Sequence, residues 1–318
     1  MASPPLSTGF VATSSLNRDR PGRDGLLRLT FERRAAETIL RRCRCKLPLQ
    51  ALSPLTLDDG TSYLLLLNPT GGVLGGDHLR TEVHIEEGAR VCLSTPSATR
   101  IYRTAAVRAE METVLCLASN ATIEYLPDHL IPHPGSSLRQ SLRVEMAQGA
   151  RGIFLDNFAA GRAALNERWQ FRDLDSRMEV FLRSTPIYAN RTRIAGAAAP
   201  SPSFPVAIPN PRRESSGACS AARPLPASPN CMSDYSYSGT LLIIADQFPD
   251  WRQVLSAFRS EIESLPEIFG GVSLLAHSGC CVRYLAKSAI DFHCATHRLW
   301  TIARNQVLHL PPLDLRKY

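Results

Sequence analysis

The sequence predicts a mainly β protein: a multi-layer or helical β scaffold of many short strands, with a few α-helices towards the C-terminus. Two observations carry that reading. Apolar residues recur with period two through most of the chain, the mark of half-buried strands. Helical periodicity appears only near the end. A third observation bounds the answer. The 318 residues, 44% of them hydrophobic, can bury a substantial core, yet no apolar run approaches the ~18 residues of a membrane span.

The strands come first. Leu27, Leu29 and Phe31 alternate with Arg28, Thr30 and Glu32. Val83 and Ile85 alternate with Glu82, His84 and Glu86. Val107, Ala109, Met111, Leu115 and Leu117 are expected on one face, against Arg108, Glu110 and Glu112. Leu138, Leu142, Val144 and Met146 make a further face, as do Met178, Val180 and Leu182. The pattern then stops. Residues 196–236 hold a run of prolines from Pro200 to Pro229 among Ala and Ser, a density that no buried strand tolerates. Such a composition cannot bury enough apolar area to offset the entropy of ordering it. It is expected to be a disordered insertion within a single domain covering 25–318. Residues 1–24, rich in Ser, Pro and Arg with no acid before Asp19, are expected to form a flexible tail, although a transit peptide shares that composition.

Beyond the insertion, 240–245 reads as a strand. Trp251, Val254, Leu255, Phe258, Ile262 and Leu265 recur at helical spacing behind Asp250, which is placed to cap. Segments 272–276 and 280–286 flank His277-Ser278-Gly279, predicting a hairpin. Ser288 followed by Asp291 is a capping-box variant that opens a last helix through Ile290, Leu299, Trp300 and Ala303.

The net charge of +7 favours acidic partners. The excess is thinly spread, without the dense basic block and interleaved aromatics of a nucleic-acid binder. Nine cysteines at irregular spacing, with nothing ahead of them resembling a secretory signal, point to reduced thiols in a cytoplasmic setting.

Four stretches carry possible chemistry. In Asn68-Pro69-Thr70-Gly71-Gly72-Val73-Leu74-Gly75-Gly76-Asp77, Gly71 and Gly76 have the spacing of a phosphate-binding loop. Asp77 and His78 stand where Lys and Ser or Thr are needed, so phosphate is repelled. The paired glycines instead let a tight turn present an acid. In Ser94-Thr95-Pro96-Ser97-Ala98-Thr99-Arg100, hydroxyl residues precede arginine, consistent with a carboxylate site or a polar turn. Glu124, Asp128, His129 and His133 supply oxygen and nitrogen ligands suited to nickel or zinc, or are exposed loop residues. Asp156 follows an apolar strand and precedes Asn157-Phe158-Ala159-Ala160-Gly161-Arg162. Neither CxxC nor HExxH occurs. His293 and His297 share a helical face beside Cys294, weak evidence of a metal site against solvated histidines. Cys43 and Cys45 share a strand face, yet no nearby His or Cys completes a site, and on sequence alone the pair is not a convincing chelate. Cys280 and Cys281 point to opposite faces.

In that order, residues 68–79, 94–103, 123–134 and 156–162 resemble the urease accessory protein UreD (UreH) family. The ending Leu299-Trp300-Thr301-Ile302-Ala303-Arg304, with the stretch from Pro311 to Tyr318, is similar to that family's ending. The insertion is longer than the family usually carries. The resemblance implies a non-catalytic, mainly β scaffold that binds urease apoprotein and recruits UreF, which holds the GTPase UreG. It implies no permanently bound cofactor, transient passage of nickel ions into urease, and room for a dimer within the accessory complex. By matching motifs it places Asp77, Thr99 and Asp156 along the nickel path. Glu124 joins them on its chemistry alone.

The residues themselves agree with transient binding. Scattered oxygen donors release a metal, whereas a closed thiolate cage holds it. Two other classes stay open at this point. One is a metal-dependent hydrolase using Asp77 and Asp156, which requires an open metal position in a concave pocket. The other is an interaction module with no metal role.

Overall fold

The computed structural model describes residues 23–197 and 232–315. In chain order the strands are β1 (Asp24–Arg34), β2 (Glu37–Lys46), β3 (Gln50–Ala51), β4 (Leu55–Thr56) and β5 (Ser62–Leu67). There follow β6 (His78–Ile85), β7 (Arg90–Ser94), β8 (Thr99–Ile101), β9 (Ala109–Leu117), β10 (Thr122–Leu126) and β11 (Leu130–Pro132). Next come β12 (Ser137–Met146), β13 (Arg151–Ala159), β14 (Gly161–Arg162), β15 (Glu167–Arg168), β16 (Asp173–Leu182) and β17 (Thr185–Ala195). The last part holds β18 (Tyr237–Ala245), α1 (Trp251–Glu263), β19 (Ile268–Leu274), β20 (Gly279–Ala286) and α2 (Ala289–Gln306).

One sheet runs β17-β16-β12-β9-β6-β1-β2. A second runs β19-β20-β18-β13-β10-β7-β5-β3, with β4, β8 and β11 attached. From β5 to β16 the chain crosses repeatedly between them, and successive visits to a sheet pair in parallel: β6 with β9, β9 with β12, β12 with β16, β7 with β10, and β10 with β13. This is a solenoid-like coil of strands. It satisfies both halves of the sequence expectation, because the coil gives two sheet layers and α1 and α2 add a third.

Register explains why the layers hold. Leu29, Val83, Leu115, Val144, Val180 and Tyr188 are direct cross-strand neighbours, and all six are buried. The opposite face of the same strands carries His78, Glu110, Arg139 and Asp175 in one row. Arg139 forms ion pairs with Glu110 and Asp175 at 3.6 Å, and His78 Nδ1 lies 3.3 Å from Glu110. His78, Glu110 and Arg139 are half-exposed, so the contacts among them add little stability, while Asp175 at the end of the row is buried. The row does allow one face of a parallel sheet to stay wet, where such sheets are usually covered.

The helices sit on the far face of the second sheet. Val254, Leu255, Phe258 and Ile262 of α1, with Phe292, Ala295, Leu299 and Trp300 of α2, pack on Ile153, Leu155, Leu241 and Ile243. Asp250 caps α1 by accepting from Arg252 N, and Ser288 caps α2 by accepting from Asp291 N. Each cap is worth ~1 kcal/mol.

Some residues sit differently from the sequence reading. Val107 is 58% exposed, because β9 begins only at Ala109 and Val107 belongs to the preceding loop. Ile290 is 81% exposed, on the outer side of the first turn of α2. The strand expected at 272–276 begins earlier, at Ile268. Of the segment read as an insertion, 198–231 lie outside the described residues. Its margins carry structure: Gly196 N donates to Arg172 O, and Met232 is a core residue at 3% exposure. Of the 1–24 tail, residues 1–22 lie outside the described residues.

Candidate functional site

The loop between β5 and β6 is built from its own side chains. Asn68 Oδ1 accepts from Thr70 N and Oγ1, and its Nδ2 donates to Gly72 O. Val73 pairs with β8: Val73 N donates to Arg100 O at 2.8 Å, and Tyr102 N donates to Val73 O at 2.9 Å. A Cβ on Gly72 would lie 2.6 Å from Arg100 O, so this approach requires glycine. Gly76 has φ +83°, which favours glycine at the turn that delivers Asp77.

Asp77 is buried. Its Oδ2 accepts from Leu74 N at 2.8 Å, and its own N donates to Leu74 O. The sequence predicted an acid presented from a glycine turn. Here that acid braces the turn. Its Oδ1 is also buried and has no partner among the described residues.

Beside this loop, between the two sheets, lies a cavity of about 230 Å³. Cross-strand register shows why it opens there. One step from the aliphatic row, the inner row reads Leu27, Thr81, Thr113, Leu142. The next reads Leu79, Met111, Gln140, Ser176. Shorter and polar side chains replace branched aliphatic ones, and the space between the sheets is left unfilled. Tyr125 reaches in from β10, held by a hydrogen bond with Thr113, and burial pushes its phenol up.

Asp156 lies opposite, on β13. Its carboxylate accepts from Gln140 Nε2 at 2.9 Å and from Ser176 Oγ at 3.0 and 3.1 Å. It is partly buried and lines the cavity. Burial pushes its carboxyl above the usual carboxylate range, and the Ser176 and Gln140 hydrogen bonds oppose that rise. Asp156 also stands in the wall of a second space, a cleft of about 750 Å³ between β17 and β18–β20, edged by Arg191, Arg193 and Arg283. It is thus common to an internal cavity and an open cleft.

Thr99 and Asp128 line the same internal cavity. Thr99 N donates to His129 O, which ties β8 to the 127–130 corner. Asp128 N donates to Thr95 Oγ1 at 2.9 Å.

Glu124 does not belong to this group. It points through the second sheet to the helix side, where Trp300 Nε1 donates to its Oε2 at 2.6 Å and Arg304 pairs with its Oε1. Arg304 is 1% exposed; it also holds Asp59 at 2.5 Å and donates to Pro311 O at 2.6 Å. Desolvation pushes the Glu124 carboxyl up, against the pull of Arg304 and Trp300. The site therefore joins strand, helix and C-terminal segment, with every partner taken.

The histidines also separate. His129 packs edge-on against Tyr237 and lies 5.3 Å from His293 between ring centroids. Burial and the neighbouring His293 pull its pKa down to about 4. His297 instead approaches Leu313 O. The described residues contain no group of three His, Cys, Asp or Glu side chains that could hold a metal ion.

Sequence reasoning passed over Gln140 and Ser176. Both interrupt an apolar alternation, Gln140 between Leu138 and Leu142 and Ser176 between Leu174 and Met178. A polar residue in an inward-facing position was the available signal. Arg304, on the apolar face of α2, was another.

No helix among the described residues is long and apolar enough to cross a membrane. A sequence model described as UreD urease accessory protein matches residues 23–317. Among relatives, a urease accessory protein UreD of Alkalilimnicola ehrlichii is 29% identical over 296 residues, covering 93% of this chain and 91% of that one. That of Herpetosiphon aurantiacus is 28% identical over 299 residues, covering 92% and 96%. That of Deinococcus radiodurans is 38% identical over 175 residues, covering 54% and 62%. With the match running through both sheets, the cavity and the helical layer, the chain belongs to the UreD family of urease accessory proteins.

Proposed function

We propose that the protein is a non-catalytic scaffold for urease maturation, which binds urease apoprotein together with UreF and UreG in the cytoplasm and gives nickel a route towards the urease active site. The observation that carries this reading is Asp156, an acidic residue common to the walls of the cavity between the sheets and the neighbouring cleft.

The donors around that route are Asp156, Asp128 and Thr99, with the amide of Gln140 and the hydroxyl of Ser176 behind Asp156. Oxygen donors of this kind are harder than the imidazole nitrogens that nickel favours, so they can hold the ion without trapping it. Dispersed donors fit cargo in transit, because no three of the His, Cys, Asp or Glu side chains described converge on one point. Asp77 serves by bracing the loop that closes one wall, and Glu124 by fixing the helical layer to the second sheet. Nickel here is cargo.

The test is co-purification of the protein with urease subunits and the other accessory proteins, with nickel counted per urease active site and normalised to complex formed. An Asp156→Asn variant is expected to assemble normally and load less nickel. Failure to retain urease would overturn the scaffold role. Normal loading by Asp156→Asn would overturn the route.

A further inference from the structure

Strand β2 is the last strand of the first sheet. Its residues Cys43 and Cys45 are two apart, so both side chains leave the same face. Their sulfurs lie 3.4 Å apart. Directly across the ladder Cys43 faces Leu29 and Cys45 faces Leu27. Both leucines are fully buried, yet both thiols are exposed. At this edge β2 therefore runs past the cover of the second sheet, and the face that is core on β1 becomes surface on β2.

Among the described cysteines the pair stands apart. Cys92, Cys280 and Cys281 are buried, Cys116 is partly buried, and Cys294 is exposed. Only Cys43 and Cys45 combine exposure with a partner sulfur in contact.

We propose that Cys43 and Cys45 form a surface chelate for a thiophilic divalent cation of the zinc or nickel class. A metal–sulfur bond of ~2.3 Å with sulfurs this far apart subtends about 95° at the metal. That lies between the right angle of a square-planar site and the tetrahedral angle, so little movement of the strand is needed. Two positions are filled by sulfur and the others face solvent. Such an open site exchanges its metal, unlike a four-thiolate cage. Burial, and the hydrogen bond with Cys45, push the Cys43 thiol up to about 11. Binding forms two metal–sulfur bonds while the two thiol protons and the displaced water leave to solvent. The inference is independent of the internal route: neither falls with the other.

The experiment uses the full chain with Cys219→Ser, Cys231→Ser and Cys294→Ser, which leaves Cys43 and Cys45 as the exposed thiols among the described residues and removes the two cysteines outside them. Phenylarsine oxide probes a vicinal dithiol directly. Its arsenic forms two As–S bonds, its oxygen takes the two thiol protons, and water leaves. One arsenical per chain is expected, resistant to excess monothiol and removed by a dithiol. Zinc(II), measured by competition with a chromophoric chelator, is expected to bind once per chain. Either Cys43→Ser or Cys45→Ser should weaken it about 100-fold or more, since the second contact of a chelate acts at high effective concentration. Zinc binding unchanged by either substitution, or an arsenical stripped by monothiol, would overturn the proposal.

Discussion

Asp156→Asn removes one charge and almost nothing else. The amide oxygen can still accept from Ser176 Oγ and Gln140 Nε2, which now hold the carboxylate at 2.9–3.1 Å. The fold should not suffer. Burial raises this carboxyl, so the folded chain keeps its proton to higher pH than the unfolded chain does. The stability contributed by that proton is complete below the unfolded pKa and is lost as pH rises through the folded one. The neutral amide does not pay it, so Asp156→Asn should equal or exceed the parent in urea unfolding at neutral pH, with the gap widening as pH rises from acid. Asp156→Ala is different. It strands the Gln140 and Ser176 donors, at a cost of ~1–3 kcal/mol less whatever cavity water restores. For nickel, losing even a supporting ligand typically costs ~10–100-fold in affinity, and loss of a lining charge should reduce loading at limiting nickel by at least the lower figure. The assay is nickel per urease active site at matched complex yield, with the unfolding midpoint measured in parallel. Wild-type loading by Asp156→Asn at limiting nickel would refute the reasoning. So would a destabilised Asn variant, because the carboxylate would then be structural.

Glu124→Ala should destabilise the chain by ~3–5 kcal/mol, since it leaves Arg304 buried without its partner; complex yield and nickel should fall together in the same pull-down, and a stable variant with selective nickel loss would contradict the structural assignment. His129 should make the fold acid-sensitive: its pKa falls from 6.5 to about 4 on folding, so stability is lost as pH drops through that window, by roughly 3 kcal/mol at its foot. Unfolding curves at pH 7 and pH 4 should show that His129→Leu flattens the loss, and parallel curves for parent and variant would reject it. Asp77→Ala should cost ~1 kcal/mol, the size of one turn hydrogen bond, while Asp77→Asn, which keeps the acceptor for Leu74 N, should recover most of it; nickel loss at unchanged stability would make Asp77 a donor instead of a brace.

Much of the fold was legible because period two reports which face of a strand is buried. Leu27, Leu29 and Phe31 are at zero exposure as their alternation requires, and both helices begin behind the caps read at Asp250 and Ser288. Alternation does not say which strand lies beside which. The coil that sets Leu29, Val83, Leu115 and Val144 in one row depends on pairings across dozens of residues, and no local signal carries these. The site divides in the same way. The 68–77 turn was readable because its glycines and Asp77 act on one another locally. The Glu124 contact with Arg304 spans 180 residues, so a carboxylate that looked like a free ligand is an anchor for α2. Gln140 and Ser176 were visible as polar residues in apolar rows, but their meeting with Asp156 needs both sheets in place.

The same ladder that builds the core also sets what the cavity can hold. Moving across one row, Leu29, Val83, Leu115 and Val144 fill the space between the sheets and exclude water. Two residues back along each strand, Leu27, Thr81, Thr113 and Leu142 fill it less, and a further two back Gln140 and Ser176 turn it polar. A cation entering beside Asp156 therefore meets a carboxylate, an amide and hydroxyls on one side and leucines on the other. That is enough to replace part of a hydration shell and too little to complete it, since no third ligating side chain of the His, Cys, Asp or Glu type is brought to the same point. On the proposed reading, binding there is strong enough to admit a divalent ion and too weak to keep it, the property that a route requires and a storage site does not. Adding a ligand should then obstruct passage: on the proposed reading, a Ser176→His variant that gives Asp156 a nitrogen partner would bind nickel more tightly and deliver less of it.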